Sequence, residues 1–585
     1  MYSVVNELTG YKKDPVFPNY TDDATISEAM SDYFVNKITK IKQNMKVQSQ
    51  DPSHFTAELK HLVSANITEL SYFKQVDVEE IKAVATSLKK KFCKLDPVPT
   101  TILMENSDLI FPFIVKIINT CISECNFPKD LKLAVITPII KDTTGDKNVF
   151  KNYRPVSCLC FLSKIFEKIL FNQITGHIEK NNLHAKYQSS YRNYYSCETA
   201  LAKIFDDTGR YLNSGKNVMF VLLDSSAAFD TVEHSILIKK LEKEFLITGQ
   251  ALKLLVSYLK NREFTTLING SESSKRKLDC GVPQGSLLGP LFYILYTKTI
   301  ENIVLKHGLN LHMYADDVQI YCSFDQNFIT ETESKIQLCL QEIKSWMMQN
   351  SLQLNAEKTQ VKVFWAKSCN IRPDYVIDFN CNDKIKLLGV TFEDDLKLNK
   401  FVSKKVQICN FHIRNFYNVK CSLNFSTRVL LITNMVLSTM DYCNLLLLGS
   451  SDKFVRPLHL VLNKAVRFIY NLPIREHITP YYAKLHFLPV KQRIVFKACL
   501  VAFKIFYGLC PQYLTEEFTR FKPTTSIKLR EGAGRDLFMF QLMPRVTTKL
   551  NLFEQIKQNW NALPLNLRTC NDINVFKKRL KSHLF

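Results

Sequence analysis

Asp224 ends the apolar run Val218-Met219-Phe220-Val221-Leu222-Leu223. A second acidic pair follows in Tyr314-Ala315-Asp316-Asp317, and Gly281-Val282-Pro283-Gln284-Gly285-Ser286 lies between the two. Carboxylates are the hard oxygen donors that Mg²⁺ prefers, and Mg²⁺ keeps substrate phosphates in its shell. Two such ions about 3.5–4 Å apart clamp the attacking and leaving oxygens of a phosphoryl displacement. The chemistry this residue set points to is therefore nucleotidyl transfer. Each segment alone is bland: Asp caps turns and helices, an Asp-Asp turn is usually solvated, and a Gly-Pro-Gly stretch is usually just a turn. The signal lies in their order and local setting.

Converging carboxylates need strands to carry them. The run 218–223 is continuously apolar, as in a strand buried on both faces. Leu311 to Ala315, then Val318-Gln319-Ile320-Tyr321, read as a hairpin with Asp316 and Asp317 at its turn. Placed side by side, these strands bring Asp224 to Asp316. Asp230 is expected to cap a helix starting near Val232. Pro283 is expected to stiffen the entry to a helix over Leu287 to Leu295. Gly281 and Gly285 permit close backbone approach.

Further segments carry a resemblance. Asn152-Tyr153-Arg154-Pro155-Val156-Ser157 precedes Leu162-Ser163-Lys164-Ile165-Phe166-Glu167-Lys168-Ile169-Leu170. Gln188-Ser189-Ser190-Tyr191-Arg192 precedes Ser196-Cys197-Glu198-Thr199-Ala200-Leu201. With the acidic segments, these make the chain resemble the reverse transcriptases of non-LTR (LINE-type) retrotransposons, of the jockey-like and chicken-repeat-like kind. The likeness runs from about Ser71 onward. The family usually has Gly where Ser190 stands, and often His where Tyr195 stands.

The resemblance implies roles. Asp224, Asp316 and Asp317 become catalytic metal ligands, with the Ser225 carbonyl completing a shell. The cofactor is two Mg²⁺ ions, with Mn²⁺ a substitute. Phe229 would sit under the sugar and leave no room for a ribose 2′-OH, although composition alone makes it a core aromatic. Gln284 and Gly285 would lie near the incoming nucleotide. Arg192 and Arg154 become candidates for triphosphate or template-phosphate contacts; any single Arg on so basic a chain otherwise reads as a solvated charge. Lys358, in Leu352-Gln353-Leu354-Asn355-Ala356-Glu357-Lys358-Thr359, becomes the candidate general acid for the pyrophosphate leaving group. Lys386-Leu387-Leu388-Gly389-Val390-Thr391-Phe392 resembles a primer-grip hairpin, with Leu388 and Gly389 at its tip.

The implied fold class is α+β: a right-hand polymerase with fingers, a palm built on an antiparallel sheet with the Asp-Asp hairpin, then a mostly α-helical thumb and C-terminal region. The expected division is an N-terminal linker or helical region over 1–105, a reverse transcriptase domain over 120–392, a helical thumb over 393–470 and a basic C-terminal region over 471–585. Helical patterns are expected at Lys400 to Phe416, Thr427 to Leu447, Asp452 to Ile469 and Val490 to Gly508. The implied function is RNA-directed DNA polymerisation from dNTPs on an RNA template and a DNA primer. The rival readings are an RNA-making polymerase and a catalytically inactive nucleic-acid-binding remnant of a retrotransposon. The opening stretch lacks an endonuclease pattern, so insertion would need that activity from elsewhere.

Charge agrees with a polyanion partner. The chain of 585 residues has a net charge of +22. Residues 396–585 hold 30 Lys and Arg against 9 Asp and Glu, and the preceding residues hold 47 against 46. Nearly all the excess thus lies in the last third, where phosphate binding would release counterions. The 17 cysteines form no Cys-x-x-Cys motif, which argues against a zinc knuckle and for a reducing interior, cytoplasmic or nuclear. Residues 428–448 are apolar but interrupted by Arg428 and Asp441, so a buried helix is expected there and no membrane partner.

Overall fold

The computed structural model describes residues 17–18, 22–48, 67–89, 93–141, 145–355, 358–369, 384–394, 396–519, 537–538 and 551–585. Its strands are β1 (Ala134–Ile140), β2 (Tyr153–Cys158), β3 (Asn217–Leu223), β4 (Ser225–Ser226), β5 (Arg262–Ile268), β6 (Ser271–Glu272) and β7 (Arg276–Leu278), followed by β8 (Asn310–Tyr314), β9 (Asp317–Phe324), β10 (Gln353–Leu354), β11 (Gln360–Phe364), β12 (Ile385–Leu387) and β13 (Val390–Phe392).

The sheet that matters most has the order β11-β3-β9-β8 and is antiparallel throughout. Its middle strand is buried on both faces, and successive side chains enter different cores. Val218 and Phe220 join one core; Met219, Val221 and Leu223 join the other. That is why the run carries no polar alternation. A second sheet, β2-β1-β5-β6 with β7 on β5, contains one parallel pair, β1 with β5. The fold is mixed α/β, with antiparallel sheets and many helices.

Within the N-terminal region, the helix Asp23–Gln48 packs on the second sheet. Ile26, Met30 and Phe34 share a core with Ala134, Ile136, Tyr153, Phe264 and Ile268. Ser31 hydrogen-bonds Thr266 and Ser273, and Arg276 bridges Glu28 and Asp32.

Past β13, the helices Asn399–Asn418, Asp452–Tyr470 and Val490–Phe506 lie where helical periodicity placed them. The stretch 427–447 is broken into a helix, a π-helical turn over Ile432–Leu437, a short helix and a 3₁₀ turn. One core spans these elements, from Leu396 and Phe401 to Trp560, Phe576 and Leu580, and it also takes in Leu201 and Phe220. It runs without interruption across residue 470. No helix among the described residues is long and apolar enough to cross a membrane.

Candidate active site

Backbone register builds the carboxylate site. Leu223, the last residue of β3, pairs with Val318, so Asp224, just past the strand end, comes beside Asp317, the first residue of β9. The β8–β9 hairpin turns through Ala315 and Asp316, with Tyr314 paired to Asp317. Ala315 adopts φ +57°, a left-handed conformation unusual for a residue with a side chain. Its N–H donates to Ser190 Oγ at 2.8 Å and Gln188 Oε1 at 3.1 Å. The Ser190 hydroxyl in turn donates to Gln188 Oε1 at 2.9 Å. A glycine at 190 could not offer that hydroxyl. The substitution noticed as a departure in the sequence is thus a support for the acidic turn.

Three carboxylates in one place disfavour full ionisation. Burial, then its own backbone, with Asp224 working in the same direction as burial, act on Asp316; the net effect raises its pKa, while Arg154 and Lys358 oppose the rise. Burial, then Asp316 and Asp224, push Asp317 up to about 6. Lys358 Nζ lies 3.1 Å from Asp224 Oδ2, and the Asn355 amide approaches the same oxygen at 3.4 Å. Asp224 therefore spends one oxygen on an ammonium group. Among the described residues, no three His, Cys, Asp or Glu side chains close into a ready-made cation cage. The donor set nonetheless suits hard divalent cations: it is all carboxylate, mutually repelling, and already attracts positive charge.

The surrounding residues divide into those brought near and those held elsewhere. Phe229 is half-buried and stacks on Tyr293, with ring centroids 4.6 Å apart. Burial, then Asp316, raise the Tyr293 hydroxyl pKa, which places this ring against the carboxylates. Asp230 does not cap a helix: the next helix is His234–Lys243, with Glu233 before it. The Asp230 carboxylate instead accepts the Gln284 amide at 2.7 Å. A Cβ on Gly281 would meet the Asp230 carbonyl at 2.6 Å, and one on Gly285 would meet the Ser157 carbonyl at 2.3 Å. Both glycines permit close backbone approach. The following helix is Leu288–Tyr296.

Arg154, on β2, is exposed and electrostatically coupled to Asp316. Arg192 is not brought to the carboxylates. Its guanidinium donates to the carbonyls of Ala185 and Gln188 and lies 3.9 Å over the Tyr195 ring. The segment folds back on itself, and Nη1 satisfies two local backbone acceptors. Ser225 pairs with Leu354 across β4 and β10. Leu388 and Gly389 form the two-residue turn between β12 and β13, both with positive φ (44° and 83°). The Tyr442 hydroxyl donates to the Leu388 carbonyl. Residues 356–357 of the Lys358 segment lie outside the described residues.

Sequence reasoning missed a buried network behind the turn. Ser189 Oγ lies 2.8 Å from His312 Nε2 and 2.9 Å from the Tyr513 hydroxyl. Burial, then Lys203, drive the His312 pKa down to about 3. Tyr513 comes from the C-terminal third, so nothing local in the sequence signals the contact.

Against known proteins, residues 140–392 match the family described as reverse transcriptase (RNA-dependent DNA polymerase). These residues are a reverse transcriptase domain. The domain holds the acidic hairpin, Asp224, the 281–286 segment and the β12–β13 turn. The chain is 28% identical over 354 residues to the probable RNA-directed DNA polymerase from transposon BS of Drosophila melanogaster, covering 57% of this chain and 38% of that protein. It is 26% identical over 342 residues to the RNA-directed DNA polymerase from mobile element jockey of Drosophila funebris, covering 56% and 36%. A third relative, the probable RNA-directed DNA polymerase from transposon X-element of Drosophila melanogaster, is 24% identical over 365 residues, covering 61% and 40%. The chain spans about two fifths of the length of these curated relatives.

Proposed function

We propose that this protein is an RNA-directed DNA polymerase of a non-LTR retrotransposon, joining dNTPs to a primer 3′-OH on an RNA template. The observation that carries the reading is the β3–β9 register, which sets Asp224 beside Asp317 with Asp316 in the adjoining turn. The reverse transcriptase match and the relatives' names support it. On this reading β11-β3-β9-β8 is the palm, the β1–β2–β5 sheet with its helices belongs to the fingers, and the helices after β13 act as thumb and C-terminal region.

Asp224, Asp316 and Asp317, with the Ser225 carbonyl, would hold two divalent ions, Mg²⁺ with Mn²⁺ as substitute. When bound, the ions supply charge neutralisation and polarisation of the reacting phosphate oxygens. The remaining work belongs to side chains. Phe229, backed by Tyr293, occupies the space a ribose 2′-OH would need and so selects deoxynucleotides. Arg154 contributes positive charge for the triphosphate. Lys358 Nζ carries a proton beside Asp224 and would donate it to the departing pyrophosphate oxygen. The β12–β13 turn, held by Tyr442, would seat the primer end. Arg192, whose Nη1 is bonded to the Ala185 and Gln188 carbonyls, acts as a local scaffold. The basic C-terminal third would follow the template–primer duplex. Its place of action would be the cytoplasm or nucleus.

Primer extension on an RNA template tests this. Wild-type protein should make Mg²⁺-dependent cDNA and Asp316→Asn should make none. Equal signals from the two would refute the assignment and leave the nucleic-acid-binding reading.

A further inference from the structure

We propose that Lys37, on the N-terminal helix, is a positioning residue for Gln284, acting through Asp230. The inference rests on the polymerase reading and extends the site to a helix outside the matched residues 140–392.

Lys37 Nζ lies 3.6 Å from Asp230 Oδ2, and Gln284 Nε2 donates to the other oxygen, Oδ1, at 2.7 Å. One carboxylate therefore joins the helix to the Gly281–Ser286 segment. The Asp230 side chain is only 13% exposed, so it needs a counter-charge to remain an anion. Burial raises its pKa, and Lys37 is the strongest influence opposing that rise, with Gln284 and Lys141 adding to it.

The ionisation state matters to Gln284. An ionised carboxylate only accepts hydrogen bonds, so it can bind only the NH₂ end of the amide. The Gln284 carbonyl oxygen is then the end directed away. A protonated Asp230 could bind either end, and the amide would lose its fixed orientation.

Lys37 is held where this requires. The core contacts of Ile26, Met30 and Phe34 seat the helix, and Arg276 pins its first half through Glu28 and Asp32. Lys42 pins the second half by pairing with Glu233 at 2.7 Å. A cavity of about 410 Å³ opens between the helix and residues 281–284, with Lys37, Asp230 and Gln284 in its wall. The relay thus borders space that a ligand group can reach.

The test is single-nucleotide extension by the full chain. Lys37→Met should raise the KM for dNTP about tenfold, the loss expected when one charge-assisted contact goes. It should leave kcat and template–primer affinity near wild type, and Lys37→Arg should restore most of the loss. Gln284→Ala should raise KM by a similar factor, and the double variant should show no further rise. An unchanged KM in Lys37→Met overturns the proposal, as do multiplicative effects in the double variant. A change confined to template–primer affinity also overturns it, because it would make Lys37 a nucleic-acid contact. If the wild type makes no cDNA, the polymerase reading falls; titration of the same variants with dNTP then decides the relay by the same criteria.

Discussion

The two sides of the acidic hairpin are built differently. On the front, Lys358, Arg154, Lys37 and Asp230 are charged groups in or beside accessible space. On the back, Ser189, His312 and Tyr513 form a buried network, flanked by Lys203 and Arg210 paired to Asp207 and Glu517. The front has charge to offer a substrate, and the back spends its polar groups on itself. Front-side changes should therefore alter kinetics at constant stability, whereas back-side changes should alter stability at constant selectivity.

The sharpest front-side test is Asp316→Asn in primer extension. Losing a metal-ligand charge should exceed the roughly 10²–10³-fold cost of removing one preorganised electrostatic contact, with thermal unfolding unchanged. A variant that instead unfolds early would erase the distinction between the two sides.

The back-side counterpart is Trp560→Ala. This fully buried ring contacts Phe503, Phe506, Phe538 and Phe576, and its removal should cost about 3–5 kcal/mol in denaturant unfolding. Because the same core reaches Phe220 on β3, cutting the chain after Phe392 should prevent folding rather than merely weaken template binding. A soluble, cooperatively folded 1–392 fragment would show that the back is dispensable.

Phe229→Ala should raise NTP incorporation relative to dNTP, by roughly 10-fold or more, as expected when a steric barrier is removed from a pocket. The ratio of the two kcat/KM values reads it out. No change in the ratio would return Phe229 to a packing role beside Tyr293.

Tyr513→Phe removes one buried hydroxyl and should cost about 1 kcal/mol of stability, with the KM for dNTP unchanged. A shift in nucleotide selectivity would mean that the back communicates with the front.

The smallest effect concerns pH. Asp317 has a folded pKa raised to about 6, so it takes up a proton as pH falls through that value. Cation binding requires the unprotonated carboxylate, so activity should drop below about pH 6. Asp316 and Asp317 interact, so the midpoint belongs to the pair. Raising Mg²⁺ should move the midpoint to lower pH, because the cation competes with the proton. A midpoint indifferent to Mg²⁺ would place the titrating group elsewhere.

Much of this was legible locally. The apolar run before Asp224 shows a strand buried on both faces, because two cores leave no position for a polar side chain. The hairpin carrying Asp316 and Asp317 at its turn, the close approach at Gly281 and Gly285, and the helices after β13 follow from period and residue type. The local partners of Arg192 and the bond from Gln284 to Asp230 did not follow. An arginine donates to any nearby carbonyl and a carboxylate accepts from any nearby donor, and only the folded chain decides which is nearer.

Local residue chemistry alone settled that carboxylates end neighbouring strands and that the last third is basic, because both depend on side-chain type and short-range periodicity. Tertiary packing decided that Lys37 meets Asp230 at a sequence separation of 193 and that Tyr513 reaches Ser189 at a separation of 324. Such contacts arise when distant apolar faces are buried together, and a linear pattern carries no record of which face will meet which.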